Sequence, residues 1–217
     1  RGVDVGFLYN PSMFKPVSTQ GFELNAHYAD GGVVRSRLQL WISGYLLDDD
    51  RKIVRDKIHI SVNHWPSRYG GEESSRATRD TAAMLCKKVC DSIYLKEPTA
   101  KIVVMGDLND DPFNKSCAKV LGAKKKKKDV EEHGFYNPFW KTLDNGIGTL
   151  AYRGVWNLFD QIIISGYFID GKSALKFLKN EVLTPIHVGR SVAKIKSKDG
   201  VISDKELSWL MNSMIGD

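Results

Sequence analysis

The stretch Lys101-Ile102-Val103-Val104-Met105-Gly106-Asp107-Leu108-Asn109-Asp110 places an apolar run directly before a polar one. Such an apolar run is typical of a strand that is buried on both faces of a sheet. Asp107 and Asn109 are two residues apart, so both side chains point to the same side if the extended geometry continues. A carboxylate beside an amide can position a water molecule, bind a hard cation or contact a phosphoryl oxygen. The alternative is an Asx-turn that ends the strand.

A second polar cluster follows a strand that lies upstream. The strand is predicted over Ile58–Val62, and it runs into Asn63-His64-Trp65-Pro66-Ser67-Arg68. A histidine at this place can act as an acid or hold a phosphate oxygen, and an arginine adds a fixed positive charge. The alternative is a structural histidine beside a surface arginine.

A third cluster, Trp156-Asn157-Leu158-Phe159-Asp160, comes directly before an apolar strand predicted at Gln161–Ser165. A charge at the start of a buried strand is costly unless it is paired. We therefore expect Asp160 to have a partner such as a histidine. The alternative is a carboxylate that accepts hydrogen bonds from backbone amides.

The rest of the chain predicts an α/β (α+β) fold with a mixed sheet. Alternating apolar residues predict one strand over Val3–Tyr9 and a longer one over Val33–Leu47. The charged stretch Asp48–Lys52 is interpreted as a hairpin connection, and apolar residues at helical spacing predict a helix over Glu73–Leu95.

The composition indicates one soluble domain of 217 residues with a net charge of +6. No apolar run approaches the roughly 20 residues needed to span a bilayer, and the compartment is not indicated. The charge modestly favours polyanionic partners. The lysine run Lys124–Lys128, after a short helix predicted from about Asn114 to Leu121, could contact nucleic acid or form a solvated turn. An odd number of cysteines without metal-ligand spacing argues against a disulfide framework or a zinc site.

Three motifs, in this order and spacing, resemble the endonuclease/exonuclease/phosphatase superfamily. They are Asn63-His64-Trp65, Gly106-Asp107-Leu108-Asn109-Asp110 and Phe159-Asp160-Gln161-Ile162-Ile163-Ile164-Ser165. The segments Trp65–Arg68 and Tyr152–Asn157 are most similar to bacterial members, especially those of Bacteroides-type organisms.

The resemblance covers residues 1–183 and implies a two-sheet β-sandwich core flanked by helices. Because the opening residues look like the family's mid-domain strand, the chain is interpreted as the carboxy-terminal portion of such a domain. Residues 184–217 depart from the family, and we expect them to form a divergent tail of a turn and a helix.

The resemblance also implies a role for each matching residue. The family hydrolyses phosphoester bonds by in-line attack of water on phosphorus, assisted by Mg²⁺ or Mn²⁺. His64, Asp107, Asn109 and Asp160 match its catalytic positions, and Asp107 and Asn109 would also contact the metal. Substrate contacts are expected from three further residues, Asn63, Arg68 and Trp156.

Two departures from the family pattern predict weak activity for this chain. The family takes an asparagine and its principal metal-binding glutamate from its amino-terminal half, and nothing before Arg1 supplies them. The family's terminal Ser-Asp-His is matched at most by Ser203-Asp204-Lys205, and His187 has no motif around it.

The resulting hypothesis is a metal-dependent, nuclease-like phosphoesterase that acts on phosphodiester or phosphomonoester bonds. Its partner would be a phosphorylated substrate, with nucleic acid as one candidate. Two alternatives stay open: a phosphatase of a small phosphorylated molecule or lipid head group, and a non-catalytic module that binds phosphate or nucleic acid. The sequence does not indicate the oligomeric state.

Overall fold

Twelve strands and two α-helices are found in the part of the chain that the computed structural model describes, which is residues 4–28, 30–34, 36–48, 50–152, 154–170, 175–183, 190–197 and 200–201. The strands are β1 (Phe14–Phe22), β2 (Gln39–Leu47), β3 (Ile53–His64), β4 (Lys101–Asp107), β5 (Ala123–Lys124), β6 (Phe135–Tyr136), β7 (Leu150–Tyr152), β8 (Val155–Asn157), β9 (Asp160–Ser165), β10 (Lys176–Leu183), β11 (Arg190–Ser197) and β12 (Gly200–Val201). The helices are α1 (Glu72–Tyr94) and α2 (Phe139–Asp144).

The main sheet has seven strands in the order β1-β2-β3-β4-β9-β6-β5. The neighbours β3 and β4 are parallel and are connected through α1, whereas β4 and β9 are antiparallel. A parallel pair needs such a crossover, because a tight turn cannot join strands that run the same way. The predicted α/β class with a mixed sheet is therefore confirmed.

Helix α1 covers one face of the main sheet. Three of its residues, Ala83, Cys86 and Cys90, are fully buried in a cluster with Ile102 of β4 and Ile163 of β9. Burial of a side chain as large as isoleucine contributes roughly 1.5–3 kcal/mol, so this layer fixes the strands that carry the site. The predicted helix over Glu73–Leu95 is confirmed to within one residue at each end.

The opposite face of the sheet carries a second apolar layer. Val103 of β4 and Ile162 and Ile164 of β9 point to this face, because side chains alternate along a strand. Phe139 of α2 and Phe177 of β10 pack in the same cluster. Strand β11 also contacts β9, so the three-stranded sheet β10-β11-β12 lies against this face of the main sheet.

Two predicted strands near the amino terminus need correction, and the one predicted over Val33–Leu47 is shorter than expected, because β2 begins at Gln39. Residues 4–9 form no strand, although Val5, Phe7 and Tyr9 do pack around Phe14 in a third apolar cluster. The alternating apolar residues of this segment therefore pack on the core, but within the described residues the segment pairs with no neighbouring strand. The strand at this end of the chain is β1, which the sequence pattern did not reveal.

Three further expectations are resolved in part. The hairpin connection at 48–52 joins β2 to β3 as predicted, whereas the helix predicted over Asn114–Leu121 is a single π-helical turn, Ser116–Val120. The expected tail contains strands β11 and β12, and its expected helix around Leu207–Met214 lies outside the described residues. Among the described residues, no helix is long and apolar enough to cross a membrane.

Candidate active site

The strand register aligns three of the predicted catalytic residues. His64 at the end of β3 is the direct neighbour of Asp107 at the end of β4. Asp107 is in turn paired with Asp160 at the start of β9. Directly paired residues on adjacent strands point to the same face of a sheet, so the three side chains lie side by side. We call His64, Asp107 and Asp160 the site row.

Within the site row, the imidazole and the first carboxylate are close together. His64 Nε2 lies 3.7 Å from Asp107 Oδ2, and each of the two side chains is 34% exposed. The row therefore opens to solvent at the sheet edge while its backbone is fixed by the ladder. This is the placement expected of polar groups that meet a substrate.

Burial and mutual charge shift the pKa values of all three groups. Burial lowers the pKa of His64, and the positive charge of Arg37 lowers it further, while Asp160 opposes both. Burial also raises the pKa of Asp107. The pKa of Asp160 rises to about 6, first because of burial and second because of the negative charge of Asp107. The lowered pKa of His64 favours the uncharged imidazole, and the two carboxylates repel each other when both are ionised.

Arg37 is a functional candidate that the motifs missed. Its charge lowers the pKa values of both His64 and Asp107, so the guanidinium lies within electrostatic range of the site row. It lies in the segment just before β2, three residues ahead of Leu40, which pairs with Val62 near the end of β3. No local sequence pattern marks this residue, because its neighbours arise from the pairing of β2 with β3.

Asn109 contributes mainly to the turn that follows β4. Its backbone adopts a left-handed φ of 51°, and its N–H donates to Asp107 Oδ1 over 2.9 Å. Its side-chain amide donates to the Trp65 carbonyl over 2.9 Å, and the residue is 8% exposed. The Asx-turn that we considered as an alternative is therefore present, and it orients the Asp107 carboxylate.

Asn63 lies beneath the site row and is only 2% exposed. Its amide donates to Ser61 Oγ over 2.9 Å and to the Met105 carbonyl over 3.2 Å. Its carbonyl oxygen accepts a 3.1 Å hydrogen bond from Trp65 Nε1. These contacts position the turn after His64, whereas the expected direct contact with a substrate stays a prediction.

Arg68 also connects parts of the site. Its Nε donates to the Asn109 carbonyl over 2.9 Å, and its guanidinium lies 4.5 Å from the centre of the Phe159 ring. Its Nη2 donates to the carboxylates of Asp110 and Asp111 over 3.2 and 3.3 Å. The side chain, 19% exposed, thereby ties the turn after β4 to the residue preceding Asp160. Its contacts support a positioning role, and substrate binding by Arg68 stays a prediction.

A buried network of charged residues surrounds the carboxylates of Asp110 and Asp111, which follow β4. Arg79 of α1 is completely buried, and its Nε lies 2.7 Å from Asp110 Oδ1. Asp110 also accepts a 2.6 Å hydrogen bond from Ser116. The Asp111 carboxylate accepts a 2.7 Å bond from the Leu158 N–H, just before β9. Helix α1, the turn after β4 and the start of β9 are thus held in one arrangement.

Thr149 is the partner that the structure gives to Asp160. The Thr149 hydroxyl accepts bonds from the backbone N–H groups of Phe159 and Asp160 over 3.1 and 3.2 Å, and it also hydrogen bonds to the Asp160 carboxylate. A histidine partner for Asp160 stays a prediction, because His64 lowers the pKa of Asp160 only when the imidazole is protonated. His187 lies outside the described residues.

Trp156 lies outside the site row. It belongs to β8 in the two-stranded hairpin of β7 and β8, and it is 54% exposed. The hairpin is joined to the site because the Thr149 N–H donates to the Asn157 carbonyl over 2.8 Å. An exposed indole near the row can contact a bound molecule, and its role in substrate binding stays a prediction.

The described residues do not form a complete metal site. Asp107 and Asn109 offer oxygen ligands, but within the described part of the chain no group of three histidine, cysteine, aspartate or glutamate side chains is arranged to hold a metal ion. A hard cation such as Mg²⁺ needs six ligands, and it usually takes one or two of them from protein carboxylates. The predicted ligands Asp107 and Asn109 would therefore leave most of the coordination to water or to a bound phosphoryl group.

Comparisons with known proteins agree with this geometry. The model of the Endonuclease/Exonuclease/phosphatase family matches residues 1–201. No curated protein matches the chain. Among solved structures, the human Nocturnin catalytic domain is 16% identical with a TM-score of 0.52, covering 86% of this chain and 61% of its own.

Two bacterial structures are similar to the same degree. A family protein from Bacteroides vulgatus is 11% identical with a TM-score of 0.51, covering 87% of this chain and 68% of its own. A conserved protein of unknown function from Enterococcus faecalis is 11% identical with a TM-score of 0.50, covering 87% and 69%. At these identities the likeness concerns the fold, and the chain spans about three fifths of the Nocturnin domain.

Proposed function

Because the chain belongs to the endonuclease/exonuclease/phosphatase family, we propose that its site row holds a phosphoryl group and hydrolyses phosphoester bonds. The observation that carries the proposal is the register of β3, β4 and β9, which sets His64, Asp107 and Asp160 beside one another. Phosphoryl transfer depends mainly on positioning and on charge stabilisation, and a rigid row at a sheet edge suits both.

Each group in the row has a chemical task in this proposal. Asp107 orients or deprotonates the attacking water. His64 is neutral and donates a hydrogen bond to a phosphoryl oxygen, and Arg37 adds the positive charge that offsets the negative charge of the phosphoryl group. Asp160, with a pKa of about 6, holds or releases a proton at the other end of the row.

The dependence on Mg²⁺ or Mn²⁺ is the finer part of the proposal. When bound, the ion would stabilise charge on the phosphoryl oxygens. The described residues alone do not satisfy its coordination, so we assign no step to it. We accordingly expect slow turnover by this chain.

The test is hydrolysis of bis(p-nitrophenyl) phosphate and p-nitrophenyl phosphate, with Mg²⁺, with Mn²⁺ and with EDTA. Asp107→Ala should lower the rate by about 10²–10⁴-fold, the usual contribution of a general base. Asp91→Asn, an exposed change on α1, should leave the rate unchanged. A rate that is equal in the wild type and in Asp107→Ala would refute the proposed site.

A second candidate function is a non-catalytic module that binds a phosphate group. Its support is the positive charge of Arg37, which acts on both His64 and Asp107 of the site row. In that case no metal restores turnover, yet Arg37→Gln weakens the binding of inorganic phosphate measured by calorimetry. An equal affinity for phosphate in the wild type and in Arg37→Gln would exclude this alternative.

A further inference from the structure

Four consecutive exposed lysines, Lys125–Lys128, form what we call the lysine strip. Runs of like charge repel one another and usually belong to disordered tails. Here the run continues strand β5, and its second half forms a 3₁₀ turn at Lys127–Asp129. An ordered row of ammonium groups has less conformational entropy to lose when it meets a row of negative charges.

Aromatic rings hold two of the strip lysines in place. Lys125 Nζ lies 5.9 Å from the centre of the Trp140 ring. Lys127 Nζ lies 5.1 Å from the centre of Phe177 and 5.7 Å from that of Tyr136. Such contacts contribute about 0.5–1 kcal/mol each at exposed sites and leave the ammonium accessible from the outer side.

The strip lies on the side of the sheet that leads to the site row. Strand β5 is parallel to β6, and β6 is antiparallel to β9, so the chain leaving Lys124 runs toward the Asp160 end of β9. Lys124 is level with Ile164 through β6, so Asp160 lies two strand spacings across, about 10 Å, and four residues along β9, about 13 Å, from Lys124. The resulting distance of about 16 Å corresponds to roughly five nucleotides at 3.4 Å per step.

Helix α2 bridges the strip and the row. Lys125 pairs with Asp144 at the end of α2 over 2.7 Å. The segment that follows α2 ends at Thr149, whose hydroxyl contacts Asp160. The strip and the site row are thus connected through α2 and the segment that follows it.

The balance of charge on this surface is positive where the strip faces solvent. Within the described part of the chain, Lys125 is the strip lysine that has an ion pair. The next acidic residues along the chain, Asp129, Glu131 and Glu132, are exposed and follow the strip. Lys126, Lys127 and Lys128 thus keep charges that a multiply charged ligand can use.

We propose that the lysine strip binds the phosphodiester backbone of a nucleic acid, whose chain continues to the site row. Each backbone phosphate carries one negative charge at a regular spacing, which matches a fixed row of lysines. A small phosphomonoester cannot reach both places. The substrate class rests on the proposed function, whereas binding to the strip does not.

The experiment measures the binding of a fluorescein-labelled single-stranded oligonucleotide by fluorescence anisotropy, in EDTA, between about 50 and 200 mM salt. Each lysine–phosphate contact contributes about 0.7 to the slope of log K against log salt for a single strand. The double variant Lys126→Gln/Lys128→Gln should therefore lower the slope by about 1.4.

The matched control is Lys88→Gln/Lys96→Gln, which removes the same charge at α1 and just beyond its end, away from the strip. Its slope should equal that of the wild type. The proposal is overturned if both double variants change the slope equally, or if neither does. It is also overturned if the strip variant loses binding to phosphatidylserine vesicles and keeps its oligonucleotide slope. Because no turnover is measured, failure of the phosphoesterase assay leaves this result intact.

Discussion

Arg37 shows how a single side chain can control the proton affinity of its neighbours. Its positive charge lowers the pKa of His64, in addition to the larger effect of burial, and also lowers that of Asp107. Since a histidine is charged only when protonated, a nearby cation disfavours the protonated form. The uncharged imidazole that the proposed chemistry needs at neutral pH is therefore maintained partly by Arg37.

Replacement of Arg37 by glutamine should raise the pKa of His64, because the repulsion of the imidazolium is removed. The measurement is an NMR titration of the histidine ring protons in the presence of EDTA. His59, which is buried between Ser43 and Glu97, serves as the internal control and should titrate as before. A His64 pKa that stays constant or falls would contradict the placement of Arg37.

The lowered pKa of His64 also makes the stability of the folded protein depend on pH. The folded protein binds the His64 proton less readily than an unfolded chain does, so the contribution of His64 to stability decreases as the pH falls below about 6.5. Arg37→Gln should reduce this loss. The difference in melting temperature between about pH 7.5 and pH 5.5 should therefore be smaller in the variant than in the wild type.

Gly106 is a second position where one atom decides the local structure. Its φ is +127°, and a Cβ atom there would lie 2.0 Å from the Asn63 carbonyl oxygen. Gly106→Ala should lower the free energy of unfolding by more than about 3 kcal/mol, because the backbones of β3 and β4 would have to separate. Chemical denaturation measures the change.

Gly146→Ala is the matched control for this prediction. Gly146 also has a positive φ of +78°, but nothing lies within 4 Å of a Cβ atom there. Its replacement by alanine should lower the free energy of unfolding only by the cost of a left-handed backbone conformation, about 1–2 kcal/mol. Equal losses in the two variants would show that backbone conformation alone, rather than the close approach of β3 to β4, makes Gly106 necessary.

At the scale of elements, the Arg79–Asp110 pair joins α1 to the turn after β4. Arg79→Leu should destabilise the protein by about 3–5 kcal/mol, since the buried Asp110 carboxylate loses the closer of its two arginine partners. Arg76→Leu, which removes an exposed ion pair with Glu73 on the same helix, should cost less than about 1 kcal/mol. Thermal or denaturant unfolding of the two variants provides the comparison.

The Arg79–Asp110 pair also predicts non-additivity. In Arg79→Leu/Asp110→Leu no unpaired charge of the pair remains, so the double variant should lose less stability than the sum of the single changes. Strictly additive losses would indicate that the two side chains act independently, contrary to their 2.7 Å separation.

The elements that the sequence predicted well are those with a strong local pattern. Strand β4 is a continuous apolar run and α1 has regular helical spacing, so both were found, together with the polar residues at their ends. The strand predicted at residues 4–9 was wrong, because the alternating side chains of this segment pack on the core while its backbone pairs with no described strand. Strand β1 was missed since most of its residues are exposed, so no buried face marks it.

The site was predictable where a motif ended a strand, and only there. His64, Asp107 and Asp160 were found in this way, and the register then brought them together. Arg37 and Thr149 act on the row through residues far away in sequence, so no spacing rule could reveal them. The burial of Asn63 and the network around Arg68 likewise depend on tertiary packing.

At the scale of the whole molecule, the ligand set predicts a weak response to metal. We expect about 1 mM Mg²⁺ to raise the melting temperature by less than about 1 °C, because a ligand at a tenth of its Kd stabilises by less than about 0.1 kcal/mol. Differential scanning fluorimetry with and without EDTA measures the shift. A rise of several degrees that Asp107→Asn abolishes would establish a strong site at the row.

The three isoleucines of β9 have a consequence for how the carboxylates stay aligned. Ile162, Ile163 and Ile164 are identical residues, so these three side chains by themselves do not distinguish the observed register from one shifted by one residue. Gln161 is not interchangeable: its buried amide donates to the carbonyls of Asp110 and Leu158 and accepts from Asn137. The hydrogen bonds of this neutral side chain therefore fix the strand register that places Asp160 opposite Asp107.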